Sequence, residues 1–155
     1  MKPDLSPARG QRGVMLLEAL IAILLFSLGI LALIGLQARS INFAGQAKYR
    51  ADAVLLADEL VGMMWSNRAN VPNYEWLSGA TDTPTALSGW YTKVSNTLPG
   101  VSSKHPVIDV ASTTYTAPSP YTVYEVTIEV FWRTPEEEAA NAAHHRIFTT
   151  AYIQN

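Results

Sequence analysis

The chain has 155 residues, 48% of them hydrophobic, a formal net charge of -2 and no cysteine. That length allows one ordinary domain with an appendage. The missing cysteine excludes a disulfide framework and a thiolate metal site, and the charge balance offers nothing like the basic face of a general nucleic-acid binder.

Residues 1–13, MKPDLSPARGQRG, are polar, carry two prolines and two glycines, and cannot pack a core. Lys2, Arg9 and Arg12 beside a long apolar segment resemble the charged flank of an export signal. The plainer reading is a cytoplasmic tail before a membrane anchor. Either way the tail stays in the cytoplasm, although Arg39, Lys48 and Arg50 on the far side weaken the positive-inside argument.

The apolar run at 14–36 covers roughly 20 residues or slightly more, the length of a transmembrane helix. A signal peptide cut after Ala38, in LQA, is the competing reading. The length of the run, Glu18 inside it and the helical sequence beyond Ala38 favour an anchor. Glu18 is the anomaly, because an ionised carboxylate in hydrocarbon is costly and marks a functional candidate.

No proline occurs between residues 8 and 71, and 37–65 is rich in Ala, Leu, Met, Arg and Glu. This composition predicts helix. Tyr49, Ala53, Leu56, Leu60 and Met63 recur by threes and fours on one face, while Lys48, Asp52 and Glu59 occupy another. The expectation is one helix over about 14–66, roughly 80 Å long, with its first ~30 Å in the bilayer. Gly29 and Gly35 are its soft points. Asn67, Asn70, Pro72 and Asn73 end it.

From 74 to 120 the sequence is loop-rich, with short strands expected at 90–94 and 107–111. YTVYEVTIEVFW, 121–132, is the clearest strand. Tyr124, Val126, Ile128, Val130 and Trp132 alternate with Glu125, Thr127, Glu129 and Phe131, which gives one buried face and one mostly wet. Residues 133–144 read as a long connection and 146–153 as a final strand, paired antiparallel with 121–132. A three- or four-stranded sheet needs a cover, and the amphipathic half of the long helix is the candidate. The fold class expected is therefore α+β.

Recognisable chemistry is thin. His144 and His145 follow Glu136, Glu137 and Glu138 in one connection, but no standard zinc or calcium spacing is present. A solvated acidic loop is the favoured reading. His105, before Pro106, reads as a loop residue. Met63, Met64 and Trp65 could form a binding surface, with helix-to-sheet packing favoured. No catalytic residue, cofactor or metal is expected. Lys93, Lys104 and Arg133 are too few to argue DNA uptake.

Two signals coincide at the helix start: GVMLLE at 13–18 after a short basic leader, and the composition ALIAILLFSLGILALIGLQ. Together with the helix-then-sheet order, they resemble type IV pilins and pseudopilins, most of all the PilV-type minor pilins, or pilus modification proteins. The resemblance is specific over about 10–66 and architectural beyond. It implies a pilin-like fold in four parts: leader 1–13, transmembrane and filament-core helix 14–36, amphipathic half 37–66 and a loop-rich head 67–155. It also implies cleavage by prepilin peptidase between Gly13 and Val14 and N-methylation of Val14. Cleavage takes the basic count from 11 to 8, the acidic count from 13 to 12, and the net charge from -2 to -4. Glu18 is then assigned as partner to an N-terminal ammonium, commonly a neighbouring subunit's. The family most often has phenylalanine after the cut, where this chain has Val14.

A helix-start carboxylate held by the macrodipole, with no partner subunit, is the plainer account of Glu18. Assembly is favoured over it, since a paired carboxylate is tolerated in an apolar core and fixes register. The function implied is a minor pilin incorporated into a type IV pilus or priming its assembly. Its partners would be major and minor pilins, prepilin peptidase, the pilus assembly platform and the inner membrane, with the head periplasmic before assembly and at the cell surface after. A minor pseudopilin of a type II secretion system shares the same features. A membrane-anchored periplasmic enzyme or binding protein is the third reading; it predicts that residues 1–13 are retained.

Overall fold

The computed structural model describes residues 12–155. Most of the 1–13 leader lies outside the described residues. The chain divides into two compact units, one ending at Phe43 and one running Ala44–Asn155. Helix α1, Arg12–Ser66, is continuous in backbone through Gly29 and Gly35 and has 55 residues.

In the first unit every side chain from Val14 to Phe43 is exposed. Leu16 is 69% exposed, Phe26 69% and Leu31 65%. A helix that shows apolar side chains all round is built for an apolar surrounding. This one is long and apolar enough to cross a membrane.

The second unit holds a sheet, two further helices and the rest of α1. A 3-10 segment, Arg68–Tyr74, follows α1 directly. Pro72 stops an α-helix but tolerates this tighter turn. Helix α2, Ser88–Thr97, comes next, then strands β1 (Val107–Tyr115) and β2 (Tyr121–Trp132), helix α3 (Pro135–Ala139) and strand β3 (His145–Gln154). The sheet is antiparallel throughout, in the order β1-β2-β3. Its register sets Ile108 against Ile128 and Val130 against Ile147.

Ala53, Leu56, Leu60 and Met64 of α1 share one core with Ile108, Val126, Ile128, Val130 and Ile153 of the sheet. Each fully buried aliphatic side chain contributes about 1.5–3 kcal/mol relative to exposure. The helix face and the sheet face therefore stabilise each other, as the amphipathic spacing predicts.

The strand expected at 90–94 is helix instead. Leu87, Trp90, Val94 and Leu98 are all buried, at helical steps of three and four. The indole Nε1 of Trp90 donates to the Leu56 carbonyl at 2.9 Å. Tertiary anchoring thus outweighs the β-propensity of a Trp-Tyr-Thr run. Phe131 also departs from expectation. It lies on the wet face of β2 yet is only 3% exposed, because Lys104 Nζ sits 3.8 Å from its ring centroid and His144 approaches its edge.

Candidate functional site

Glu18 lies in the second turn of α1, beyond the first turn, which holds no acidic residue. The macrodipole acts mainly within that first turn, so it supplies little stabilisation at Glu18. Val14, Leu17, Glu18, Ile21, Ala22 and Leu25 share one side of the helix. Val14 and Glu18 are four residues apart, which stacks them on one face. Between Val14 and Leu36 no other residue is ionisable. The site is thus a single carboxylate on an apolar cylinder, four residues after Val14, with no partner among the described residues.

The arrangement suits pairing and offers little for catalysis. A nucleophile or general base needs neighbours that orient and activate it. Those beside Glu18 are Leu17, Ile21, Ala22 and Leu25. A cation brought to this carboxylate in an apolar medium would be held strongly, because neither charge is well solvated there.

The polar residues of the head unit separate into local contacts. His145 Nε2 lies 2.7 Å from Glu137 Oε1 and its ring stacks on Trp132. His144 Nε2 lies 3.1 Å from Ser103 Oγ instead. The two adjacent histidines thus face different partners. Glu137 Oε2 also accepts from the Thr134 backbone N–H while Thr134 Oγ1 accepts from that of Glu137, a capping box that starts α3. These bonds, chiefly that to His145, hold the Glu137 carboxyl below the usual range. Burial, followed by the Arg133 charge, pushes the His144 pKa down. Glu136 and Glu138 are exposed. Among the described residues no group of three or more His, Asp or Glu side chains is placed to hold a metal ion.

His105 is half-buried and stacked on Trp76, with ring centroids 4.4 Å apart. Lys93 pairs with Glu59, Lys104 covers Phe131, and Arg133 reaches Glu138 at 3.4 Å. Each cation serves the fold locally. Met64 is fully buried, Met63 packs against the core, and Trp65 stays 45% exposed.

The chain was compared with protein-family models, with curated proteins and with solved structures, and no match was found.

Proposed function

We propose that this chain is a minor pilin of a type IV pilus, anchored in the inner membrane by residues 14–36 and then built into a filament or priming its assembly. The observation that carries this reading is Glu18, the single ionisable group on a helix whose other 14–36 side chains are apolar or small. Prepilin peptidase cuts between Gly13 and Val14, and Val14 is methylated. Glu18 then meets an N-terminal ammonium inside a bundle of like helices, where pairing offsets the desolvation of both charges. Before assembly the head unit is periplasmic; afterwards it lies in the filament at the cell surface. Major and minor pilins and the assembly platform are its partners.

The N-terminal mass of the protein extracted from native membranes tests this. A chain that begins at Val14 and is heavier by one methyl group supports the reading. An intact Met1, or a start after Ala38, sinks it. Co-purification with secretion components rather than pilus components would reassign the chain to a type II secretion system.

A further inference from the structure

The two edges of the sheet are finished differently. At the β1 edge, Trp76 pairs with Ile108 through two backbone hydrogen bonds, of 2.8 and 2.9 Å. Beyond β3 no further strand follows among the described residues. An unpaired edge is a template for another strand, and proteins usually blunt it with charge, proline or a bulge. Here residues 147–154, IFTTAYIQ, hold no charge, no proline and no glycine.

The register identifies the backbone groups that stand free. Thr122 and Asn155 exchange both of their backbone bonds, at 3.2 and 2.9 Å. Bonded and unbonded pairs alternate along an antiparallel ladder. With Gln154 opposite Val123 and Ile153 opposite Tyr124, it is therefore the odd-numbered residues of β3 that bond β2. The N–H and C=O groups of Phe148, Thr150 and Tyr152 point away from it. The side chains of these three are exposed, whereas Ile147, Thr149, Ala151 and Ile153 are half-buried or buried. Phe148 is 69% exposed and Tyr152 61%. One set of residues thus offers free backbone groups and bare aromatic rings together.

Charge selects the occupant. Glu125, opposite Tyr152, and Asp109, opposite Thr127, lie on the same outer face and are exposed. Neither forms an ion pair among the described residues, while Glu129 on that face is matched by Arg146 at 3.3 Å. A second copy's β3 would bring Arg146 as its one permanent cation, at the far end of the strand, and leaves this excess unanswered. We propose that the free edge of β3 takes an extended, lysine- or arginine-bearing segment of another protein as a fourth strand. Its alternate basic side chains lie over Phe148 and Tyr152, whose ring faces attract cations, and stand two strand spacings, about 10 Å, from Glu125. The backbone ladder supplies affinity and the charges supply selectivity. The proposal holds whatever Glu18 pairs with.

The test uses the full chain in non-ionic detergent and a fluorescent ten-residue peptide that alternates lysine with valine or threonine. A counterpart carries glutamate in place of lysine. Anisotropy should show the lysine peptide bound at least about tenfold more tightly. Thr150→Pro removes a free N–H without breaking a bond to β2, and should weaken that binding about tenfold. Thr150→Ala keeps the N–H and should bind as the parent does. Hydrogen exchange on the unmodified chain supplies a readout that needs no variant: the peptide should slow the amides of Phe148, Thr150 and Tyr152. Equal binding of the two peptides, no binding of the lysine peptide or unchanged exchange at those amides would each overturn the proposal. So would pairing of two copies through β3 in the absence of peptide. None of these outcomes bears on the N-terminal mass, so failure here is distinct from failure of the assembly reading.

Discussion

Trp90 and Leu56 are 34 positions apart in sequence and joined by a hydrogen bond of 2.9 Å from the indole Nε1 to the backbone carbonyl. Trp90 is 1% exposed, so this bond ties α2 to α1 inside the core. Trp90→Phe keeps most of the apolar burial and loses the donor, at a cost of about 1 kcal/mol. Trp90→Ala also opens a cavity and costs about 3–5 kcal/mol. Urea unfolding of the full chain in detergent, followed by tryptophan fluorescence and near-ultraviolet dichroism, should rank the two in that order.

Gly100 has φ +78°, and a Cβ built there meets Arg133 Cβ at 3.0 Å and Arg133 N at 3.1 Å. Gly79 has φ +85° with open space around it. Gly79→Ala therefore carries backbone strain alone, about 1–2 kcal/mol. Gly100→Ala adds displacement of Arg133 and loses more. Equal losses at the two positions would show that the close contact with Arg133 is not felt.

Acid should weaken the β2–β3 connection in two stages. The folded pKa of His144 lies below its usual 6.5 and that of Glu137 below its usual 4.5. Both depressions stabilise the folded state above the ordinary values, and both contributions fade as pH falls through the folded ones. His144 therefore acts first, from about pH 6.5 downward, and Glu137 only below about 4.5. In Glu137→Gln the amide still caps α3, so the lower stage flattens while the upper stage persists. Thermal melts from pH 7 to pH 3 would detect either stage, and an unchanged lower stage in the variant would remove Glu137 as its source.

Glu18→Ala should separate anchoring from assembly. Removing a carboxylate from an apolar helix eases membrane insertion, so the membrane-bound amount should hold or rise. The fraction recovered in sheared filaments should fall to background. Normal recovery in filaments would leave Glu18 without the pairing role proposed for it.

The sequence reports α1, β1, β2 and β3 because each carries its own period. The threes and fours of 49–63 and the alternation of 121–132 survive into buried faces on Leu56, Leu60, Val126 and Ile128, except that Met64, one position beyond the expected Met63, is the fully buried methionine. Helix α2 was hidden for a physical reason. Over 90–94 its Trp, Tyr, Thr and Val favour strands, and only the wider set Leu87, Trp90, Val94 and Leu98 shows helical spacing. Helix α3 was missed inside what read as a connection over 133–144, although its capping box is carried by Thr134-Pro135-Glu136-Glu137, a cap residue, a proline and a third-position glutamate. The anomaly of Glu18 was visible at once, since a carboxylate among leucines needs no fold to stand out. The cover that Lys104 and His144 place over Phe131 was not, because it joins segments with no shared local pattern.

The order of elements in the core has a consequence for synthesis. Ala53, Leu56, Leu60 and Met64 leave the ribosome well before Ile128 and Ile153, the partners that bury them. For that interval the newly made chain carries an apolar face with nothing yet translated to close it. Changes that weaken β3, such as Ile153→Ala, should therefore lower the yield of the new chain through aggregation and proteolysis more than they alter the molecules that finish folding.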